Sequence, residues 1–137
     1  FRSIRVDGQP VSLRQRLRYY LLNKPIGVVC SAKDDRGRTT VLDLVAVPER
    51  VYPVGRLDLR SEGLVLLTND GELAYRLTHP RFGISKTYHV WVQGRVRRGE
   101  ISQLLQGVAL EDGVARAAEA AVLQRTKGTT VLRIVLT

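Results

Sequence analysis

The stretch GRLDLRSEGLVLLTNDGEL, residues 55–73, decides how this chain is read. It sets one carboxylate, Asp58, between Arg56 and Arg60, just ahead of the run Leu64-Val65-Leu66-Leu67. A short apolar run opened by Gly63 and closed by polar turn residues after Thr68 has the form of a buried strand. Asn69-x-x-Glu72 then resembles a helix N-cap, with Leu73, Ala74 and Leu77 on one face before Pro80. If residues 56–60 are extended, Arg56, Asp58 and Arg60 point one way and Leu57 and Leu59 the other. A cation within about 4–6 Å lowers a carboxylate pKa by roughly 1–3 units, which keeps it ionised and able to act as nucleophile or base. Arginines in such a place bind phosphate. The same pattern also describes a surface ion pair at a strand entrance, worth little to stability. Taken alone, the stretch leaves both readings open. A third, a hydrolytic carboxylate pair of Asp58 and Glu62, fits as well, although i, i+4 in a loop fixes no separation.

Outward from that stretch, strands are expected over residues 3–6 and 11–13 around the turn Asp7-Gly8-Gln9-Pro10. Another runs through YYLLNK to Pro25, and Val28-Val29-Cys30 reads as the next. SAKDDRGR, residues 31–38, is a charged loop. Thr40-x-x-Asp43 has the form of a capping box opening a short helix before Pro48. KTYHVWVQG is a clear strand. Ile101, Leu104 and Leu105, closed by Gly107, make a helix with a stop. Two strands flank Glu111-Asp112-Gly113 and a last one runs from Thr129. Strands are many and helices few and short. The expectation is an α+β fold with a mainly antiparallel or mixed sheet.

The 137 residues give room for one domain with a sizeable core. With 44% hydrophobic and 26% charged residues, the composition is that of an ordinary globular protein. No apolar run approaches the length of a membrane span, and FRSIRVDGQP lacks the apolar core of a signal peptide. A single cysteine, Cys30, cannot form an internal disulfide and suits a reducing, cytoplasmic setting. The charge is less ordinary: 22 Lys and Arg against 13 Asp and Glu give +9. Residues 1–24 hold six bases and one acid (+5), and residues 76–98 hold six bases and no acid (+6). Residues 25–75 sum to −2 and 99–137 to zero, so two blocks carry the whole excess. Clustered positive charge favours a polyanionic partner, most simply nucleic acid.

Other chemistries find little support. His79 and His89 lie ten apart with no Cys pair or HExxH spacing, so no metal site is expected. Cys30 reads as a buried structural thiol in preference to a nucleophile. No GxxxxGK[ST] or GxGxxG occurs. The KTYHVWV strand puts Lys86, Tyr88, Val90 and Val92 on one face, with Thr87, His89 and Trp91 on the other. A ring beside a cation at a strand end can stack a base and hold a phosphate. A core tyrosine with its hydroxyl at the rim is the plainer reading of Tyr88 by itself.

Together the motifs resemble the pseudouridine synthase family of the ribosomal small-subunit and large-subunit (B/E/F) type. The resemblance lies in LLNKPIGVV (21–29), TTVLDLV (39–45), YPVGRLDLRSEGLVLLTNDGELAYRLTHP (52–80) and SKTYHVWVQG (85–94), in that order. It implies isomerisation of a uridine within RNA, with no cofactor or metal. By this resemblance Asp58 is the essential aspartate, which attacks the nucleotide or takes a ribose proton. Tyr88 is the tyrosine that stacks on the target base, and Arg56 the arginine that fills the gap left by the flipped base. Asn23, Lys24 and Lys86 match motif positions that line or support the site, as RNA- or base-binding residues. The implied partner is ribosomal RNA, free or in an assembly particle, bound by a monomer.

VDGQPV resembles the end of the small S4-type RNA-binding domain that precedes this catalytic domain. Residues 1–16 are therefore expected to be a remnant of that domain and its linker, and 17–137 the catalytic domain. The family carries a further motif, E-G-x-N/H-Q-V-R-R-M, after the last strand, and the chain ends at Thr137 where it should begin. A segment lacking a catalytic element, hence inactive alone, and a non-catalytic RNA-binding module are the alternatives to an active enzyme.

Overall fold

The computed structural model describes residues 5–7, 9–10, 16–111 and 113–137. The chain divides into two compact units, residues 1–78 and 79–137.

The first unit is built on a three-stranded antiparallel sheet. Strand β3 (Tyr19–Lys24) pairs with β5 (Gly63–Thr68), which pairs on its other edge with β4 (Tyr52–Val54). The register puts Tyr20 opposite Leu67, Leu22 opposite Val65 and Lys24 opposite Gly63. Alternation sends these residues to one face. There Val65 and Leu67 join Val28, Cys30, Val41 and Val51 in one buried cluster, with Tyr20, Leu22, Val45, Val47 and Leu57 packed against it. The opposite face carries Tyr19, Leu21, Asn23 and Leu64, all exposed. A small hairpin of β1 (Arg5–Val6) and β2 (Gln9–Pro10) precedes the sheet, turning at Asp7 with φ 49°. Residues 5–6 of the first expected strand form β1, and its partner β2 takes Gln9 and Pro10, which were expected to belong to the turn. Residues 3–4 and the expected strand 11–13 lie outside the described ones.

Two local signals of the first unit are genuine hydrogen-bond patterns whose elements differ from expectation. The Asp43 carboxylate accepts from the Thr40 amide at 2.7 Å and hydroxyl at 2.9 Å, and the Asp43 amide donates back to the hydroxyl. This is the reciprocal arrangement of a capping box, but it closes a run of turns over residues 41–44 and no helix follows. Likewise Val28–Cys30 contributes one parallel bridge, Val29 to Thr40, in place of a strand. The helix after β5 forms as expected, α1 (Gly71–Thr78), but its cap is one residue later: the Leu73 amide donates to Asp70 at 3.0 Å. Asn69 instead accepts from the Arg18 amide and donates to the Arg16 carbonyl, tying the chain before β3 to the end of β5.

In the second unit, β6 (Lys86–Gln93) and β9 (Glu119–Thr126) flank the central β10 (Thr129–Leu136), all antiparallel. Between them lie α2 (Arg98–Gln106) and a short hairpin of β7 (Val108–Leu110) and β8 (Gly113–Ala115). The two strands expected around residues 111–113 are this hairpin, and β9 is an additional long strand whose signal in EAAVLQRT is weak. Within β6, Tyr88, Val90 and Val92 are half-buried while Thr87, His89 and Trp91 are exposed, the alternation read from the sequence. Thr130 is buried at the centre, its hydroxyl donating to the Gly94 carbonyl at 2.8 Å and accepting from the Val96 amide. Every strand pair among the described residues is antiparallel, which with two short α-helices gives the expected α+β class.

Candidate active site

Asp58 lies on the loop between β4 and β5, and three contacts fix that loop. Leu57 packs its side chain against the buried cluster of the first unit. The Ser61 amide donates to the Asp58 carbonyl at 3.0 Å, closing a β-turn over residues 58–61. The Gly27 amide donates to the Leu59 carbonyl at 2.8 Å, joining the turn to the NKPIG segment. Asp58 itself is exposed. An anchored residue next to an exposed carboxylate holds the functional group still while leaving it open to a substrate.

The β-turn corrects the extended reading of residues 56–60. Leu59 and Arg60 occupy its middle positions, so Arg60 does not share a strand face with Arg56 and Asp58. Among the described residues no ion pair joins Asp58 to either arginine. The flanking bases therefore act on Asp58 only through solvent-screened charge.

NKPIG is the second wall. Lys24 and Asn23 are neighbours in β3 and so face opposite ways. Lys24 is fully buried, and its ammonium donates to the Pro25 carbonyl at 3.0 Å and the Val28 carbonyl at 2.9 Å. Both carbonyls flank Gly27, so the buried cation fixes the turn whose amide reaches Leu59. Asn23 is exposed on the other face, opposite Leu64. On the far side of the Asp58 loop, the Cys30 thiol is buried and donates to the Gly55 carbonyl at 3.6 Å. Gly55 has φ 78°, a left-handed conformation that favours glycine, and it turns the chain from β4 into Arg56. The links through Gly27 and Cys30 have no signal in a single sequence beyond the presence of a glycine and a cysteine, because each ends on a backbone carbonyl of a distant segment.

In the second unit, Tyr88 is half-buried on the inner face of β6, opposite Ile134 of β10. Lys86 is exposed at the start of the same strand, and its ammonium donates to the Ile84 carbonyl at 3.0 Å. Pairing with β10 fixes the backbone of Tyr88, and its intermediate burial leaves part of the residue accessible.

Beside Arg56 the first unit opens a cleft of about 480 Å³, lined by Val29, Cys30, Ser31 and the side chains of the 33–38 loop. The loop has its own internal brace. Arg38 grips Asp34 at two points, Nη2 to Oδ1 at 2.6 Å and Nε to Oδ2 at 3.1 Å, and the amides of Arg36 and Arg38 donate to the same carboxylate. The Arg38 guanidinium, and then those amides, hold the Asp34 carboxyl well below the ordinary carboxylate range. Among the described residues no group of three or more His, Cys, Asp and Glu comes together to hold a metal ion, and no helix is long and apolar enough to cross a membrane.

Known proteins repeat this chain closely. Residues 18–136 match the family model described as RNA pseudouridylate synthase. An uncharacterized RNA pseudouridine synthase of Mycobacterium leprae is 46% identical over 97% of this chain and 54% of its own length. The ribosomal large subunit pseudouridine synthase B of Bacillus subtilis is 41% identical over 98% of this chain and 56% of its own. A crystal structure of a pseudouridylate synthase superposes with a TM-score of 0.71 at 28% identity, covering 91% of this chain and 54% of that one. The chain thus spans about half the length of the curated relatives it matches. With the family model covering nearly all of the sequence, from the start of β3 to the end of β10, the chain belongs to the RNA pseudouridylate synthase family.

Proposed function

We propose that the protein containing this chain isomerises uridine to pseudouridine in ribosomal RNA, with Asp58 as the reacting group. The observation that carries the reading is the presentation of Asp58: an exposed carboxylate on a loop fixed by Leu57, Ser61 and Gly27, inside the segment matched by the family model. In the reaction the C1′–N1 bond breaks, the base rotates and C5 bonds to C1′. The proton lost from C5 leaves to solvent and N1 gains one. Asp58 either attacks the nucleotide or takes a ribose proton. Tyr88 stacks on the uracil, Arg56 occupies the space the flipped base vacates, and Lys86 and Asn23 meet RNA. Lys24, buried with its ammonium on two carbonyls, supports the NKPIG turn from behind and does not touch the substrate.

Extruding a base costs a few kcal/mol, and stacking on an aromatic ring returns about 1–3 kcal/mol. The basic blocks at residues 1–24 and 76–98 supply phosphate contacts to the surrounding RNA, apart from the buried Lys24 and from Arg18 and Arg76, which are paired with Glu49 and Glu72. The name of the Bacillus subtilis relative favours large-subunit RNA as the substrate. The reading further takes the RNA as free or in an assembly particle and the enzyme as monomeric and cytoplasmic. Residues 1–16, with VDGQPV, are read as the end of an S4-type RNA-binding domain.

The test is release of tritium from C5-labelled uridine in unmodified large-subunit and small-subunit rRNA transcripts by the full-length protein. Release is expected from one of them and should vanish in Asp58→Asn while RNA binding stays within about twofold, since one exposed carboxylate is not a phosphate contact. Salt-sensitive binding with no release from either transcript would mark a non-catalytic RNA-binding module. Release that survives Asp58→Asn would remove Asp58 from the reaction.

A further inference from the structure

The loop of residues 31–38 is not needed to present Asp58, yet it builds one wall of the cleft beside Arg56. Its cations are sorted into two kinds. Arg38 is consumed by Asp34, through the two-point contact that also collects the amides of Arg36 and Arg38. Lys33 and Arg36 are exposed and, among the described residues, have no ion-pair partner, as is true of Arg56. The Ser31 hydroxyl meanwhile donates to the Lys33 carbonyl at 2.7 Å, bracing the start of the loop. The main chain is fixed while three cationic side chains remain uncommitted around one opening of about 480 Å³. That size lies within the roughly 300–1,000 Å³ of ordinary ligand clefts. A rigid backbone carrying unpaired cations is the arrangement that binds an anion without a large ordering cost. Asp35, also lining the cleft, is the one acid there without an ion-pair partner among the described residues, so the uncommitted charge is positive.

We propose that this cleft is a phosphate-docking subsite for the RNA strand, in which Lys33 and Arg36 bind backbone phosphodiesters of nucleotides next to the one handled by Arg56. The proposal rests on the reading of Arg56 and Asp58 given above, but it makes a separate statement about affinity. Asp34 and Arg38 are positioning residues for the loop, and Asp35 tempers the field. Because phosphodiester oxygens are the same on every nucleotide, the subsite adds affinity and register without selecting a base.

Binding of the full-length protein to a fluorescently labelled oligouridylate, measured across a salt series, tests this directly. In Lys33→Ala/Arg36→Ala the log–log salt slope should become shallower by about 1.4, since each single-strand phosphate left without its cation removes about 0.7. Affinity at low salt should fall about tenfold or more, and on rRNA the effect should appear in KM far more than in kcat. Arg36→Lys should recover most of the binding, which a purely structural role for the guanidinium would not allow. Asp35→Asn should bind several-fold more tightly. An unchanged slope in the double variant, or weaker binding in Asp35→Asn, would overturn the proposal. Saturable binding of inorganic phosphate alone, as tight as that of the oligouridylate and lost in Lys33→Ala/Arg36→Ala, would also overturn it, by assigning the cleft to a free anion. The two readings fail separately. An unchanged slope with intact, Asp58-dependent tritium release removes only the subsite. A clear slope change in a protein that releases no tritium leaves an RNA-docking cleft without the isomerase.

Discussion

The amide of Gly27 donates to the carbonyl of Leu59 at 2.8 Å, and through that single bond the NKPIG turn holds the turn that carries Asp58. Gly27 has φ 86°, and a Cβ added there would meet nothing within 4 Å. The requirement for glycine is therefore conformational and not one of space. Gly27→Ala should cost about 1–2 kcal/mol, the penalty of a left-handed backbone for a residue with a side chain. If the turn relaxes to escape the strain, Leu59 loses its partner and Asp58 shifts. The expected result is a small drop in urea midpoint accompanied by a much larger drop in kcat. A variant with normal kcat would show that the Gly27–Leu59 bond does not position Asp58.

Lys24 reaches the same turn from inside. Its ammonium serves the Pro25 and Val28 carbonyls in a fully buried position. Lys24→Met keeps the length and the apolar stem but deserts both carbonyls. With about 1–3 kcal/mol for each buried polar group left unpaired, and some relief from no longer burying a charge, a net loss of about 2–4 kcal/mol is expected. Chemical denaturation measures it. Since Lys24 is fully buried, the salt slope of RNA binding should be unchanged; a shallower slope would make it a phosphate contact after all.

The cap of α1 provides a test of register. Asp70, not Asn69, receives the Leu73 amide, and it also accepts from the Tyr19 hydroxyl at 2.7 Å. Asp70→Ala should therefore cost about 1 kcal/mol or somewhat more, as when other N-caps are removed. Asn69→Ala should be damaging for a different reason, because it removes two hydrogen bonds to the Arg16 and Arg18 backbone. Amide hydrogen exchange separates them: faster exchange in the first turn of α1 for Asp70→Ala, and at Arg18 for Asn69→Ala. The opposite pattern would restore Asn69 as the cap.

Acid should unfold the first unit through identifiable carboxylates. Asp34 is depressed by Arg38, Glu49 by Arg18, Asp43 by the Thr40 amide and hydroxyl, and Asp70 by the Leu73 amide and the Tyr19 hydroxyl. A depressed folded-state pKa means that the unfolded chain binds the proton first. The associated stability is complete above the unfolded values, near about 4, and is lost as pH falls through the lower folded values. Tyr19 has the opposite sign: its hydroxyl is raised by the bond to Asp70, so its contribution disappears only as pH rises above about 10. Urea midpoints should be flat around neutrality and fall steeply below about pH 4. A midpoint unchanged down to about pH 3 would mean that these groups keep the same affinity for protons on unfolding.

Much of this protein is legible in its sequence because the responsible physics is local. The period-2 alternation of KTYHVWVQ and the Ile101, Leu104 spacing each follow from one element meeting one core. The uniform apolar run from Leu64 to Leu67, by contrast, reads as buried throughout and is not: only Val65 and Leu67 face the core, and Leu64 is exposed. The charge blocks are likewise a matter of counting, and the specific GRLD, SEGL and LTNDG spacings carried the family. Tertiary structure decided what depends on partners far along the chain. Asn69 and Asp70 are equally good caps locally, and only the chain around Arg16 and Arg18 claims Asn69 and leaves the helix to Asp70. Thr40 and Asp43 make the same bonds in a turn as at a helix start, and the local pattern cannot tell which will follow. Lys24, expected from the resemblance among the RNA- or base-binding residues, is instead fully buried with its ammonium on the Pro25 and Val28 carbonyls, which no local pattern announces. Asp58 was visible from its motif, but the way its loop is held was not, since the bond from Gly27 to Leu59 is between backbone atoms 32 residues apart and leaves no mark on side-chain pattern.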